Sequence, residues 1–424
     1  MISNSDTRKK ILVLNGDNRN GLAVVRSLGQ KNYQCDITQT KRQPFSMKLS
    51  SLLKSKYVRK IHHLPQIENE SKFLFDLIHL INHEKYHYLL PAGTEATNFI
   101  SKFKNKLSPY IIPLVEDYSK LWILHNKIDC IKFVKSIGIP IPKTYIISTI
   151  EDLKSAADKI HYPVVIKQAD SFASKGIWTF PHGGHALVEE YLNKIPHIKK
   201  RNRCNNNYPF VQKSISGQLM DTTAFAIEGR VIAVLSQQRL LKAWLDGGGG
   251  IVNVTNSIPE IKQYTEKIIR EIQWTGPIEM DWIMEDRTNR FMLLEINPKF
   301  WGTTQLTIDA GYDFPSWLLD HVMGREIKVP GDYTTGLMYR WFIDELETVL
   351  TVPETRTRLV KEFRYFLDRF RYRPCKTDIW LSDLKPAVKA GIFFLYRLFI
   401  QGRLINIAKI IVGSQNIEKY RFDL

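Results

Sequence analysis

The sequence has few cysteines and no long apolar segment. Four of its 424 residues are cysteine (Cys35, Cys130, Cys204 and Cys375), and they form no paired spacing typical of a metal-ligand motif. Cysteines this sparse argue against a disulfide framework and favour a reduced cytoplasmic compartment. The first ten residues contain no apolar signal region, and no apolar run is long enough to span a bilayer. We therefore expect a cytoplasmic protein without a transmembrane helix.

Acidic residues are also fewer than basic residues. The chain has 43 aspartates and glutamates against 60 lysines and arginines, which gives a formal net charge of +17. A charge of this size indicates an anionic partner such as a nucleotide, a nucleic acid or lipid headgroups, but it does not indicate a fold. The length exceeds that of one ordinary hydrophobic core, so two or three domains are expected.

Residues 276–302 (GPIEMDWIMEDRTNRFMLLEINPKFWG) are the most informative segment. They predict two strands, 278–284 and 291–296, joined by the polar turn 285–289. In simple register Asp281 faces Glu295 near the open end of this hairpin, with Asn297 two residues beyond Glu295 on the same face. Two carboxylates and an amide oxygen are the hard ligands that Mg²⁺ prefers. The alternative from these residues alone is a hairpin whose acidic groups face solvent.

The first 120 residues alternate strand-like and helix-like segments. Strands are predicted at 11–14, 33–38, 88–90 and 110–114, with helices at 22–28 and 73–81, and this alternation predicts a parallel sheet. The turn Asn15 to Gly21 lacks the third glycine of a dinucleotide-binding motif, so we interpret it as a structural turn between strand and helix.

The middle of the chain contains two lysines in notable positions. Apolar residues step by three and four through a predicted helix, 119–138, that contains Lys127, which on its own is most simply a solvated side chain. The strand 162–167 ends at Lys167 and is followed by the small-residue loop 168–176 (QADSFASKG). A strand-end lysine and such a loop could clamp phosphate oxygens, and an ordinary hairpin with an exposed lysine is the alternative.

Further strands are predicted at 210–215, 221–227 and 230–238, and a helix at 259–272. Between them, the four consecutive glycines 247–250 predict a mobile loop or a close approach to a ligand.

The order of these features resembles the ATP-grasp superfamily, in particular its carbamoyl-phosphate-synthase-like carboxylate–amine ligases. The resemblance covers residues 11 to about 330. It comprises the Lys127 helix followed by GIPIPKT (138–144), the strand ending at Lys167, the hinge strand 211–215, Asp281, and the segment Glu295 to Pro298. Five weak motifs in one compatible order make a strong signal.

The resemblance implies a mixed α/β and α+β architecture. A Rossmann-like pre-ATP-grasp domain would occupy residues 1–120, and the lysine helix with a small lid subdomain 121–210. The core subdomain with the metal site would span 211–330, and a helical basic C-terminal extension 331–424.

The resemblance also implies roles for individual residues. ATP would be bound by Lys127 and Lys167, by the flap residues Ser171, Ser174 and Gly176, by the hinge residues Gln212, Lys213 and Ile215, and by Gln218 near the ribose. Mg²⁺ or Mn²⁺ would be coordinated by Asp281, Glu295 and Asn297, and the catalytic candidates are Arg239 and Lys299. Relatives often carry acids near Lys213 and Gln218, and arginine in place of Lys299, whose ammonium cannot form a bidentate pair.

The implied reaction activates a small-molecule carboxylate as an acyl phosphate and transfers the acyl group to an amine; the sequence excludes neither a thiol nor ammonia as the acceptor. One alternative is a catalytically silent nucleotide-binding scaffold. A second is a basic nucleic-acid-binding protein, although no nucleic-acid motif occurs and no such partner is expected. The oligomeric state is not predicted.

The last part of the chain is basic and aromatic. Arginines alternate with aromatic residues over 364–373, and charges interrupt the apolar stretch 387–412. Two interpretations stay open. One is an amphipathic helix on an anionic membrane face, which would suit a cell-envelope or polysaccharide precursor as substrate; the other is a helical cap on the ligase body.

Overall fold

The computed structural model describes residues 9–40, 54–67, 69–170, 177–180, 186–193, 208–244, 247–351 and 374–399. Their strands form three sheets of five, four and seven strands. The helices of these residues are Arg19–Gln30, Glu70–Glu84, Thr94–Lys102, Lys104–Leu107, Tyr118–His125, Lys127–Ser136, Ile150–Lys159, 186–193, Pro259–Ile272, Thr304–Asp309, Phe314–Val322, Phe342–Thr351 and Lys385–Phe399.

The N-terminal sheet is parallel. Its strands are β1 (Lys10–Leu14), β2 (Gln34–Thr40), β3 (Val58–Leu64), β4 (Tyr88–Pro91) and β5 (Ile112–Pro113), in the order β3-β2-β1-β4-β5. All four ladders are parallel, which confirms the sheet type predicted from the alternation of strands and helices. Two separate clusters of buried apolar residues cover its faces, because the central strands β1 and β4 are apolar on both sides.

The four-stranded sheet is small and antiparallel. It contains β6 (Thr144–Tyr145), β7 (Val164–Lys167), β8 (Ile177–Phe180) and β9 (Phe210–Lys213), in the order β6-β9-β7-β8. A helix, Ile150–Lys159, packs on it through Leu153 and Ala156, and a capping box between Thr149 and Asp152 fixes the start of that helix.

The seven-stranded sheet contains the candidate site. Its strands are β10 (Gly217–Ile227), β11 (Arg230–Trp244), β12 (Gly247–Asn256), β13 (Gly276–Glu285), β14 (Phe291–Asn297), β15 (Met338–Arg340) and β16 (Cys375–Thr377). Their order is β14-β13-β10-β11-β12-β15-β16, and only the β15–β16 pair is parallel. One face packs against the helix Pro259–Ile272, and the other against the helix Phe314–Val322.

The predicted single helix 119–138 is wrong in one respect. It consists of two helices that meet at Asn126, where the amide oxygen accepts hydrogen bonds from the backbone N–H groups of Ile128 (3.1 Å) and Asp129 (3.2 Å). This N-cap starts the second helix at Lys127. Leu121 and Val134 pack in the core cluster beneath β13 and β14, so the helices belong with the seven-stranded sheet rather than with the small subdomain.

One further prediction needs correction. Glycines 247–250 begin strand β12 instead of forming a loop, because backbone pairing with β11 needs no side chain. A Cβ on Gly250 would lie 2.1 Å from Oδ1 of Asn253, so this close approach requires glycine. The predicted domain boundaries stay predictions; β9 begins at residue 210, next to the first of them, and β15 adds to the core sheet after residue 330.

Parts of the predicted C-terminal extension lie outside the described residues, including the arginine–aromatic run 364–373 and everything after residue 399. The predicted flap residues Ser171, Ser174 and Gly176 also lie outside them. The helix Lys385–Phe399 is present, and its membrane-surface interpretation stays a prediction. Among the described helices, none is long and apolar enough to cross a bilayer.

Residues from opposite ends of the sequence form a buried ion pair. The guanidinium of Arg26 donates from Nε to Oδ2 of Asp383 (3.0 Å), and both side chains are about 1 % exposed. Oδ2 also accepts from the hydroxyl of Ser55 (2.7 Å), and Oδ1 accepts from the backbone N–H of Lys56 (2.8 Å). The indole of Trp380 covers the guanidinium at 4.3 Å. The segment after β16 is therefore fastened to the N-terminal sheet unit.

A second buried carboxylate, Asp36 in β2, joins β2 to β3 and to the segment before β4 in the N-terminal sheet unit. It accepts hydrogen bonds from Arg59 (3.0 and 2.5 Å) and from the hydroxyl of Tyr86 (2.5 Å), and it lies 3.8 Å from His62. Burial alone would raise the pKa of Asp36, but the contacts with His62, Arg59 and Tyr86 hold it well below its usual value.

We predict that Asp383→Ala lowers the free energy of unfolding by about 3–5 kcal/mol, because it leaves the Arg26 guanidinium buried without a counter-charge. Urea denaturation measures the effect. The control is Glu271→Ala, which breaks a 3.8 Å pair between exposed side chains and is expected to change stability by less than about 0.5 kcal/mol. Equal effects of the two substitutions would contradict the predicted contribution of the buried pair to the free energy of unfolding.

We predict that Asp36→Asn lowers the thermal midpoint at pH 7, and that its difference from the natural chain shrinks as the pH falls below about 4. A carboxyl whose folded-state pKa is depressed stabilises the protein above its ordinary pKa of 3.8 and loses that contribution on acidification. Scanning calorimetry across pH measures the gap. The exposed Asp158→Asn serves as control, and a pH-independent gap would refute the explanation.

Candidate functional site

The hairpin of β13 and β14 contains the predicted pair of acids, although a register shift between Asp281 and Trp282 interrupts the simple register. Asp281 lies opposite Glu295, and Glu279 lies opposite Asn297, which confirms the sequence-based pairing. On the other side of β13, Asp281 lies opposite Asp221 of β10. Because directly opposed residues project from the same face, this row brings four acids and an amide together on one side of the sheet.

Three of these acids form a compact group. Ligand oxygens of Asp221, Glu279 and Asp281 lie within 4.8 Å of one another. Burial raises the pKa of Asp281 to about 6, aided by the charges of Asp221 and Glu295, while Arg239 opposes the rise. Burial, with the neighbouring charges of Asp281 and Asp221, also raises the pKa of Glu279 well above its usual value. The cluster thus carries more negative charge than its surroundings easily accommodate.

Arg239 of β11 lies among these acids. Its Nη2 is 2.5 Å from Oδ1 of Asp221 and 2.7 Å from Oδ1 of Asp281, and its Nε donates to Oδ2 of Asp221 (2.9 Å). The side chain is 10 % exposed, so the alternative of a surface arginine is wrong. Burial would lower the pKa of Arg239, but the two aspartates raise it well above its usual value.

Lys127 forms an ion pair with Glu295. The distance from Nζ to Oε1 is 3.0 Å, and Lys127 is 7 % exposed, which excludes the solvated side chain suggested by its helix alone. Burial would raise the pKa of Glu295, but Lys127, Lys299 and Lys167 hold it below its usual value.

Lys167 approaches the site from the small sheet. Its Nζ donates to Oε1 of Gln212 (2.8 Å), and the amide of Gln212 donates to the hydroxyl of Thr144 (2.8 Å). The backbone N–H of Lys127 donates to the carbonyl of Ala169 (2.8 Å), two residues beyond Lys167, and this bond joins the two lysine-bearing segments. Burial lowers the pKa of Lys167 to about 8. Lysines from two different lobes therefore meet at one acid, Glu295.

Asn297 and Lys299 extend the site along β14. The amide of Asn297 donates from Nδ2 to Oε2 of Glu279 (3.3 Å) and accepts at Oδ1 from Nζ of Lys299 (3.0 Å). Burial lowers the pKa of Lys299. A small cavity of about 20 Å³ lies between Lys127, Gln212 and Glu295, at the junction of the lobes.

The remaining predicted nucleotide-binding residues lie at the hinge between β9 and β10. The Nζ of Lys213 is 3.9 Å from Oε1 of Glu285, and Ile215 belongs to the connection 214–216. Gln218 is exposed and accepts a hydrogen bond from Nε2 of Gln238 (3.0 Å). Their roles in nucleotide binding stay predictions.

Sequence reasoning missed Asp221 as a site residue. Its signal is a lone acid inside an apolar strand (GQLMDTTAFAI), the same signal that marks Glu295. What the sequence did not provide was the pairing of β10 with β13, which brings Asp221 beside Asp281.

The donor set fits a hard divalent cation. Asp281, Glu295 and Asn297 offer oxygen atoms on one face of a hairpin. The pKa of Asp281 is raised by burial and by neighbouring negative charge, and a bound divalent cation would relieve exactly that imbalance. The residues therefore suit Mg²⁺ or Mn²⁺.

Comparison with known proteins adds independent findings. The family model described as "ATP-grasp in the biosynthetic pathway with Ter operon" matches residues 220–344. The chain is 22% identical over 227 residues to the carbamoyl phosphate synthase large chain, N-terminal section, of Methanopyrus kandleri, which covers 51% of this chain and 39% of that relative. The chain thus spans about two fifths of the relative's length.

Solved structures share the fold. Biotin carboxylase from Campylobacter jejuni has a TM-score of 0.64 at 13% identity, over 79% of this chain and 75% of that one. N5-carboxyaminoimidazole synthetase from Staphylococcus aureus has a TM-score of 0.56 at 13% identity, over 76% and 78%. The biotin carboxylase domain of the Hydrogenobacter thermophilus 2-oxoglutarate carboxylase, in complex with MgADP, ADP and bicarbonate, has a TM-score of 0.63 at 15% identity, over 78% and 73%.

The family match covers the strands that carry Asp221, Arg239, Asp281 and Glu295, and the shared fold extends over most of the chain. Residues 220–344 therefore match an ATP-grasp family, and most of the chain shares its fold with these solved structures.

Proposed function

We propose that the protein is an ATP- and Mg²⁺-dependent ligase that activates a small-molecule carboxylate as an acyl phosphate and joins it to an amine. The observation that supports this most strongly is the meeting of Lys127 and Lys167, from two lobes, at Glu295 opposite Asp281. Two ammonium groups facing two carboxylates suit a triphosphate held with a divalent cation.

Each cation of the site has a distinct task in this proposal. Lys127 and Lys167 bind phosphate oxygens of ATP from opposite sides, and the amide of Gln212 orients the ammonium of Lys167. Asp281, Glu295 and Asn297 would hold Mg²⁺ or Mn²⁺, which when bound neutralises charge on the phosphate oxygens. Arg239, fixed by Asp221 and Asp281, stabilises charge on the reacting carboxylate, and Lys299 orients that carboxylate.

The chemistry has two steps. A carboxylate oxygen forms a bond to the γ-phosphorus while the bond from that phosphorus to the β,γ-bridging oxygen breaks, and ADP leaves. The amine nitrogen then bonds to the acyl carbon, inorganic phosphate leaves, and the amine loses a proton. Because the phosphoryl group transfers with little covalent participation of protein groups, positioning and charge neutralisation supply most of the acceleration. The identity of both substrates, and a role in cell-envelope precursor synthesis, stay predictions.

A silent nucleotide-binding scaffold is the second candidate. It is favoured by the contacts of Gln218, whose exposed amide is bonded to Gln238 instead of offering the acid that relatives often carry for the ribose. The two candidates differ in ADP release, because a scaffold binds ATP without consuming it.

We predict that Glu295→Gln and Lys167→Ala each reduce ATP turnover by at least about 100-fold, since each removes a charge that acts on the transferring group. The assay measures ADP release with Mg²⁺ and pools of amino acids and sugar acids. Hydroxylamine is added to every pool because it traps acyl phosphates as hydroxamates, whatever the natural amine is.

The controls for this assay are Lys154→Ala and Glu271→Gln, which change exposed residues of the same two lobes. Nucleotide binding without ADP release from any pool would identify the scaffold. Unchanged turnover in Glu295→Gln or Lys167→Ala would mean that the site is misplaced.

We further predict that ATP affinity weakens as the pH rises above about 8. Burial lowers the pKa of Lys167 to about 8, so its ammonium loses its charge in that range and no longer attracts phosphate. Lys167→Arg retains the charge and is expected to flatten this dependence. Dissociation constants for ATP measured across pH test it, with Lys154→Arg as control; an identical pH profile in Lys167→Arg and the natural chain would refute it.

A further inference from the structure

A cavity of about 290 Å³ adjoins the site at Lys299. It lies where three parts of the chain meet: the ends of β4 and β5, the start of β13, and the helix Phe314–Val322. Its volume is at the lower end of the roughly 300–1,000 Å³ found for ligand pockets, so it suits a small molecule.

The cavity and the acid cluster follow one another along the same face of the sheet. Alternate residues of a strand share a face, so Pro277, which lines the cavity, is on the same side of β13 as Glu279 and Asp281. At about 3.4 Å per residue, Pro277 is about 14 Å from Asp281. Lys299 borders both places, because it lines the cavity and its Nζ donates to Asn297. A molecule with one end at Lys299 can therefore extend into the cavity.

The walls are mainly apolar. They include Pro91, Leu114, Trp274, Pro277, Leu318 and Val322. Several polar residues at the rim are already engaged in protein contacts. Glu116 accepts the backbone N–H of Thr275 (2.9 Å), and Lys104 donates to Asp117 (2.6 Å). Such walls favour an uncharged hydrocarbon surface, since burial of a charged group without a partner is costly.

One buried donor in the wall has no acceptor. Trp274 is 2 % exposed, and its Nε1 forms no hydrogen bond to any residue that the structure describes. The Nε1 atom is not accessible from the cavity, so Trp274 contributes a buried aromatic wall rather than a hydrogen-bond donor.

We propose that this cavity binds the apolar body of the carboxylate substrate, whose carboxylate group lies toward Lys299 and Arg239. The substrate class is thus a small carboxylic acid with a branched or aromatic hydrocarbon body. Because Lys299 places a positive charge at one end of the cavity, we assign the cavity to the carboxylate substrate rather than to the amine substrate. The assignment of the reacting end rests on the proposed ligase function, whereas occupation of the cavity can be measured without turnover.

The experiment compares Val322→Phe, which fills the cavity, with Val329→Phe, which adds the same ring at an exposed position. The probes are phenylacetate and 4-methylvalerate, set against the polar acids succinate and gluconate. With Mg²⁺, ATP and hydroxylamine, the two apolar acids are expected to support ADP release. Val322→Phe is expected to lower kcat/KM for them at least about tenfold, as for hydrophobic pockets that lose room for a substrate, whereas Val329→Phe should match the natural chain.

Trp274→Phe provides a second variant, because it replaces the indole of the wall by a smaller aromatic ring and so weakens the contact with an apolar body. We expect it to raise KM for the apolar acids while ATP affinity is unchanged. If only the polar acids released ADP, or if Val322→Phe and Trp274→Phe left kcat/KM for the active acid unchanged, the cavity assignment would be overturned and the ligase proposal would stand.

Thermal midpoints test the cavity in the case in which no acid supports turnover. If no acid released ADP, the ligase proposal would fail, and the cavity would be judged by binding alone. A rise in midpoint with phenylacetate and 4-methylvalerate, retained in Val329→Phe and lost in Val322→Phe, would support a cavity for apolar acids. If these acids changed the midpoints of all three proteins equally, the cavity assignment would be refuted.

Discussion

Mutual compensation of charge on one face of the seven-stranded sheet is the constraint on which this molecule depends. Four carboxylates, on Asp221, Glu279, Asp281 and Glu295, lie near four cations, on Lys127, Lys167, Arg239 and Lys299. Any one of these charges alone would be costly to bury. These opposite charges offset part of that cost, while burial and the neighbouring acids still raise the pKa of Asp281 and Glu279.

The fold arranges this balance by taking the partners from different lobes. The acids stand on β10, β13 and β14 of one rigid sheet, whereas Lys167 comes from the small sheet and Lys127 begins a helix. A cation on a separate lobe can move relative to the acids when the lobes shift. The site therefore combines oxygen donors and Lys127 on one unit with Lys167 on the small sheet.

The sequence was informative wherever a local pattern determined the result. Strand alternation and a polar turn were sufficient to predict the hairpin, whereas the pairing of Asp281 with Glu295 also depends on a register shift between Asp281 and Trp282 that no local pattern indicated. Distant pairings left no local signal. β16 joins β15 across a separation of more than thirty residues, and β12 begins with glycines, so neither strand was predicted. The break at Asn126 was missed because apolar spacing continues through it.

The burial of each predicted residue and the charges around it could not be predicted from the sequence. On its own Lys127 was most simply a solvated side chain, and Arg239 was as readily a surface arginine as an oxyanion stabiliser; only the packing of the helices and the neighbouring strands showed both to be buried among acids. The cavity beside Lys299 draws its walls from three remote segments, so no single stretch of sequence could reveal it. Spacing predicted the donor atoms, and tertiary structure determined what surrounds them.

The pair between Arg26 and Asp383 joins residues 357 positions apart in the chain. During synthesis at about 5–20 residues per second, the segment containing Arg26 leaves the ribosome about 20–70 s before Asp383 is made. Over that interval the N-terminal unit holds a cation with no carboxylate to receive it. The packing of the segment that contains Asp383 against the first helix therefore depends on a residue made long after that helix.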